Sequence, residues 1–153
     1  MTILAIDPGT TESAWVLYVN GEIIDKGQDA NENLLETLRF CDFQESPLKM
    51  YIEMVASYGM PVGKTVFETC VWIGRFVESY GGYWQYVYRK DVKMHLCGQV
   101  KAKDSNIRQA IMDLYGSERS IAIGTKKAPG PLYGVSKDIW AALGVAIYAD
   151  SLT

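Results

Sequence analysis

One histidine, His95, is all the imidazole in 153 residues. That scarcity argues against a histidine-ligated zinc site and against a Ser-His-Asp triad, and leaves His95 as a helix-surface or partly buried residue. Cysteine is also sparse. Cys41, Cys70 and Cys97 stand far apart with no Cys-x-x-Cys, the pattern of reduced intracellular thiols rather than a disulfide framework. No run of about 18 apolar residues is present, so no membrane span is expected. The opening MTILAIDPGT lacks a basic flank and meets an acid at Asp7, unlike a secretory leader; a cytoplasmic protein is expected. What is present, 48% hydrophobic and 22% charged residues, is the mixture of a single domain over 1–153. A chain of this size buries roughly 68–70% of its unfolded surface, and it is too short for a two-lobed enzyme.

The net charge of −3 hides a division. Residues 1–85 hold 5 Lys/Arg against 12 Asp/Glu, whereas residues 86–140 hold 10 against 5. An acidic half beside a basic half either holds cations next to a polyanion or is an ordinary solvated surface.

Hydrophobic patterning places strands at 2–6, 13–19 and 22–27, the last two joined by the hairpin turn Asn20-Gly21. Leu34, Leu35, Leu38 and Cys41 have helical spacing over 31–43, and Pro47 ends that element. A fourth strand follows at 49–55, a Gly/Pro loop at 57–64, a helix at 65–80 and a fifth strand at 83–88. Helices are expected at 91–97, 104–115 and 137–151, with 116–136 a mobile loop rich in Gly, Pro, Ser and Lys. This order predicts an α/β fold: a five-stranded mixed sheet, three antiparallel strands then two parallel, flanked by helices on both faces.

Three acids stand out by position. Asp7 ends the first strand, Glu53 interrupts an apolar strand, and Asp138 opens the last helix. If strands one and four are neighbours, Asp7 and Glu53 lie side by side and Asp138 approaches from the helix above. Clustered carboxylates repel strongly in a cleft. Their oxygen-only chemistry suits Mg²⁺, or Mn²⁺ as substitute, and two such ions about 3.5–4 Å apart can drive phosphodiester hydrolysis. Each acid also has a plain structural explanation: Asp7 can start the Pro8-Gly9 turn and Asp138 can favour a helix N-terminus. Glu53 is harder to dismiss, because a strand-centre acid between Ile52 and Met54 costs stability unless partnered.

AIDPGTTESAWVLY at 5–18, YIEMV at 51–55, Ile73-Gly74-Arg75, Arg89-Lys90-Asp91-Val92-Lys93 and DIWAALGVAIYA at 138–149 resemble, in order, the RuvC-type Holliday-junction resolvases of the RNase H-like superfamily. ASYGMPVGKTVFETCVWIGRF, KAKDSNIRQAI and GTKKAPGPLYGVSKDIWAALGVA resemble its phage-encoded branch. The resemblance implies an RNase H-like fold, a homodimer, and Mg²⁺-dependent endonuclease action on branched DNA giving 5′-phosphate and 3′-hydroxyl ends, in phage recombination or packaging. It assigns Asp7, Glu53 and Asp138 as catalytic, metal-holding acids. The family's fourth acid falls at Ala141; either one metal has fewer protein ligands, or Asp104 or another acid substitutes. A branched-DNA-binding protein with weak or no cleavage is the alternative. Asp-x-Gly-Thr also opens the phosphate loops of actin-like and sugar-kinase-like proteins, but those need two lobes.

The 65–80 helix corresponds to the family's dimer helix. Its stripe of Phe67, Val71, Trp72 and Phe76, beside the face of Val66, Cys70, Ile73 and Val77, makes it apolar almost all round, so it buries more than one face, as a dimer contact or as a central core helix. Lys90, Lys93, Lys101, Lys103, Arg108, Lys126 and Lys127 are candidates for phosphate contacts. Tyr58 and Met60 either wedge against bases at a branch point or cap the core.

Overall fold

The structure is a computed structural model that describes residues 1–40 and 48–153. Strands β1 (Thr2–Asp7), β2 (Glu12–Val19) and β3 (Glu22–Ala30) are followed by α1 (Asn31–Phe40), β4 (Leu48–Met54), α2 (Lys64–Tyr80) and β5 (Tyr83–Tyr88). Helices α3 (Arg89–Cys97), α4 (Asp104–Leu114), the short α5 (Arg119–Ala122) and α6 (Ile139–Ser151) complete the chain. The sheet order is β3-β2-β1-β4-β5, with β1–β2 and β2–β3 antiparallel and β1–β4 and β4–β5 parallel. The expected α/β sheet is therefore the observed one. Asn20 and Gly21 both take positive φ, 50° and 85°, as the tight turn between β2 and β3 requires.

Side chains alternate across a strand, and here alternation divides the core in two. Ile3, Ala5, Ala14, Val16 and Tyr51 pack beneath α6, with α3 and α4 alongside. Leu4, Ile6, Met50 and Ile52 pack on the other face against Leu34, Leu35 and Leu38 of α1 and Ile73 and Phe76 of α2. Helix α6 is buried almost all round, with Ala142, Leu143, Val145, Ala146 and Ala149 fully covered. Alanines on both sides of this contact, in the sheet and in the helix, let α6 lie close across β1 and β2. That close approach delivers the start of α6 to the end of β1.

The structure departs from the sequence expectation in four places. Strand β3 runs on to Ala30, with Trp15 Nε1 donating to Asp29 across the hairpin at 2.7 Å. Helix α3 starts at Arg89, directly after β5. The 116–136 segment is not a loose loop: Ala122 and Leu132 are fully buried, and backbone bonds from Gly130 to Ile123 and from Leu132 to Ala122 tie it down. Phe76 belongs to the core rather than to a free stripe on α2, because it packs with Ile73 against the sheet. The expected helical turn through Cys41 and the stop at Pro47 lie outside the described residues.

Candidate active site

Asp7 is the last residue of β1, and a buried polar knot fixes the turn after it. The Gly9 N–H donates to Ser13 Oγ at 3.1 Å, Ser13 Oγ donates to Asn31 Oδ1 at 2.6 Å, and Asn31 Nδ2 donates to the Gly9 carbonyl at 2.9 Å. Ser13 and Asn31 are buried, so these bonds are the partners they need. A Cβ on Gly9 would stand 2.4 Å from the Glu12 carbonyl oxygen, which explains glycine at this close approach.

Register does the rest. β1 and β4 pair in parallel as far as Ile6 opposite Ile52, so the next pair along is Asp7 and Glu53. Both fall on the α6 face, two residues beyond Ala5 and Tyr51, at the C-terminal ends of adjacent parallel strands. Ligands of open α/β sheets gather at such ends. Glu53 lies opposite Val87 of β5, and two residues beyond Val87 on the same face is Arg89. Its Nη1 is 3.8 Å from Glu53 Oε1, while Nη2 pairs closely with Asp104 at the start of α4.

Asp138 occupies the N-cap of α6 but makes no side-chain cap bond. Its Oδ2 instead accepts from Gln28 Nε2 of β3 at 3.2 Å. The residue before it, Lys137, is held at φ 48°, a left-handed conformation that non-glycine residues adopt at a cost. Asp138 is thus near enough for its charge to act on Asp7. Burial, then the charge of Glu53, a hydrogen bond to it and the charge of Asp138 push the Asp7 carboxyl up to about 9, against the opposing pull of Arg89.

This is an oxygen-rich site with unmet demand. Glu53 Oε1 is buried with no hydrogen-bond partner, since Arg89 at 3.8 Å is beyond bonding range. Burial and the neighbouring acids disfavour the charged form of Asp7, and a cation would favour it. Such donors fit a hard divalent ion such as Mg²⁺ or Mn²⁺. Among the described residues, no three acid, cysteine or histidine side chains already stand as a finished ligand set: Asp7 and Glu53 form the pair, and Gln28 holds Asp138 beside it.

Next to the acids is a cavity of about 130 Å³ lined by Arg89, Asp104, Arg108, Lys137, Asp138 and Ala141, among others. A second, of about 310 Å³, shares Arg108, Lys137 and Trp140 with the first and adds Arg119. The two adjoin through those shared residues and form a track whose basic lining, Arg89, Arg108, Arg119 and Lys137, stands beside Asp104 and Asp138. Of the basic residues lining these cavities, Arg108 is among the sequence candidates for phosphate contacts, and Arg89, Arg119 and Lys137 are not. Gln28 was recoverable from the continuation of the hairpin ladder; Arg89, first residue of α3, reaches the site from the end of β5. Ala141 lines the cavity that Asp104 also faces.

Lys90, Lys101, Lys103, Lys126 and Lys127 are exposed and Lys93 is half-buried; none of these six lines either cavity. Tyr58 and Met60 are 63% and 69% exposed, in the loop after β4, so they do not cap the core. On α2, Phe67 and Val71 are about as exposed, Trp72 is half-buried, and Arg75 lies over its ring at 4.2 Å. His95 is exposed, its ring edge-on to Tyr148, as expected of a helix-surface residue.

Among solved structures, Thermus thermophilus RuvC superposes with a TM-score of 0.65 at 18% identity, covering 100% of this chain and 98% of its own. The fold is RuvC-like. T. thermophilus RuvC in complex with a Holliday junction substrate matches with a TM-score of 0.63 at 14% identity, over 97% of this chain and 91% of that one. No protein-family model and no curated protein matches the sequence. The RuvC-like sheet is thus present at low identity, and no helix among the described residues is long and apolar enough to cross a membrane.

Proposed function

We propose that this chain is a divalent-metal-dependent, structure-selective endonuclease that nicks branched DNA. Four-way Holliday junctions are the first candidate substrate, with forks and flaps as further ones, in phage DNA recombination or packaging. The carrying observation is the pairing of Asp7 with Glu53 at the ends of neighbouring parallel strands, with Asp138 presented beside them by α6. The RuvC-like fold supports the reading, because one of the matched structures holds a Holliday junction. Mg²⁺ or Mn²⁺, with two ions per site in this reading, would supply Lewis acidity and a nucleophile from water at neutral pH.

In this reading Asp7, Glu53 and Asp138 are the catalytic, ion-holding acids. Arg89, Arg108, Arg119 and Lys137 draw a phosphodiester backbone along the track toward them. Lys90, Lys93, Lys101, Lys103, Lys126 and Lys127 add contacts to the flanking arms, and Tyr58 and Met60, exposed beyond Glu53, wedge at the branch. A homodimer through α2, using Phe67 and Val71, gives paired sites for symmetric nicks. The products carry 5′-phosphate and 3′-hydroxyl ends, and the place of action is the host cytoplasm.

The test is a labelled synthetic four-way junction incubated with Mg²⁺ or Mn²⁺, beside linear duplex. Nicking by wild type that disappears in Asp7→Asn and Glu53→Gln is expected. Nicking that survives both substitutions overturns the assignment. A second reading, a branched-DNA-binding protein with weak cleavage, is favoured by one feature: Ala141 offers no oxygen, and Asp104, across the cavity, is engaged by Arg89. It predicts tight junction binding without nicks in either metal.

A further inference from the structure

We propose that Gln28 is a positioning residue for the cation site, setting the place of Asp138 against Asp7 and Glu53; the inference rests on reading those three acids as ion-binding. Cross-strand register carries it. Ala14 lies opposite Asp7 on one side and opposite Gln28 on the other, so Glu53, Asp7, Ala14 and Gln28 form one row across four strands on the face under α6. From the end of that row the Gln28 amide reaches two carboxylates. Nε2 donates to Glu12 Oε1 at 2.8 Å and to Asp138 Oδ2 at 3.2 Å.

Both amide hydrogens are thereby committed, which fixes the orientation of the group. Glu12, first residue of β2, anchors one side; Asp138, with no cap bond of its own, is held on the other. The amide donors also screen two acids that would otherwise repel. The remaining atom, Gln28 Oε1, is buried with no hydrogen-bond partner. A buried oxygen left without a donor is destabilising, and beside Asp7, Glu53 and Asp138 the natural partner is a hydrated hard cation. A glutamine serving the sheet alone would leave that oxygen to solvent or to a neighbouring N–H.

The experiment is Mn²⁺ calorimetry on wild type, Gln28→Met, Asp138→Asn and the double variant, with thermal unfolding in chelator as the folding control. Gln28→Met is expected to weaken Mn²⁺ binding by about 10-fold to 100-fold, the usual effect of removing a group that orients a ligand, while the metal-free melting temperature does not fall. In the Asp138→Asn background the same change is expected to cost much less, because Gln28 acts mainly through Asp138. If Met at 28 prevents folding, Gln28→Asn, one methylene too short to reach, should show the same loss. Wild-type affinity in Gln28→Met, or an equal loss with and without Asp138, overturns the inference alone. No Mn²⁺ binding by wild type overturns the ion-site reading and the inference with it.

Discussion

Asp7→Asn should stabilise the metal-free protein at neutral pH and make it indifferent to metal. The Asp7 carboxyl is pushed from 3.8 to about 9 by burial and by Glu53 and Asp138. A carboxyl with a raised folded-state pKa binds its proton more tightly in the native state, so stability is fullest below 3.8 and falls as pH rises toward 9. Each unit in that window costs about 1.4 kcal/mol. Between 3.8 and neutrality the ceiling is about 4 kcal/mol. The proton shared with Glu53 and the guanidinium of Arg89 reduce it, and about 2 kcal/mol is expected. Asparagine keeps the shape and does not titrate, so its stability should not decline through this window on account of residue 7. For a chain of this length, 2 kcal/mol is about 4–8 °C in melting temperature. The assay is thermal unfolding in chelator at about pH 5, 7 and 9, repeated with Mg²⁺. The advantage of Asp7→Asn should widen with pH in chelator and shrink or reverse with Mg²⁺, which stabilises only a protein that binds it. A variant less stable than wild type at the alkaline end, or a pH-independent difference, would refute the account of a strained carboxylate pair.

Other outcomes follow from the same geometry. Ser13→Ala removes the hydroxyl shared by Gly9 and Asn31 and should cost about 1–3 kcal/mol in chemical denaturation, because it strands buried polar groups. Gly9→Ala sets a methyl against the Glu12 carbonyl and should cost about 1–3 kcal/mol, with a greater proportional loss of Mn²⁺ affinity as Asp7 is displaced. Lys126→Ala with Lys127→Ala should lower the slope of log binding constant against log salt by about 2 if both meet phosphates; an unchanged slope removes them from the interface. In the proposed α2 dimer, Phe67→Asp should yield monomer in analytical ultracentrifugation without lowering the melting temperature of the monomer, since its ring is exposed rather than packed in the core.

Much of the architecture was legible because each strand is a short apolar run closed by a strong stop. Asn20-Gly21 set the hairpin and Pro8-Gly9 ended β1. Asp7 and Glu53 were legible for a related reason: an acid at the end of, or within, an apolar strand leaves few places to go. The hidden parts are hidden for physical reasons. The end of β3 is polar because β3 is an edge strand, where one side of the ladder is open and apolar residues are not demanded; Gln28 therefore falls outside the strand expected over 22–27. The 116–136 segment looked loose from its Gly and Pro content, yet Ala122 and Leu132 plug the core from within it. Composition registers the turns and misses two small anchors. Helix α2 reads as apolar almost all round, and composition could not say that Phe76 faces inward while Phe67 and Val71 face out.

The site depends on parity more than on any motif. Asp7, Glu53 and Arg89 are each two residues beyond a core residue of the α6 face, Ala5, Tyr51 and Val87, so a one-residue slip in β1, β4 or β5 would send the functional group to the α1–α2 side. Asp138 depends instead on distance. It reaches the row only because Ala5 and Ala14 in the sheet meet the alanine-rich α6 and let the helix lie close. Register and small side chains are constraints that many sequences can satisfy, which is how a chain 18% identical to T. thermophilus RuvC carries the same sheet. The same looseness lets the surroundings change around a fixed frame. Where an acid one helical turn after Asp138 would have pointed into the cavity, Ala141 leaves room, and Arg89, Asp104, Arg108 and Lys137 line the space. Ala141 offers no oxygen there, while Arg89, Arg108 and Lys137 bring three cationic groups to the same wall as Asp104 and Asp138, so in the proposed reading this cavity suits a phosphate beside the acids rather than a further metal ion.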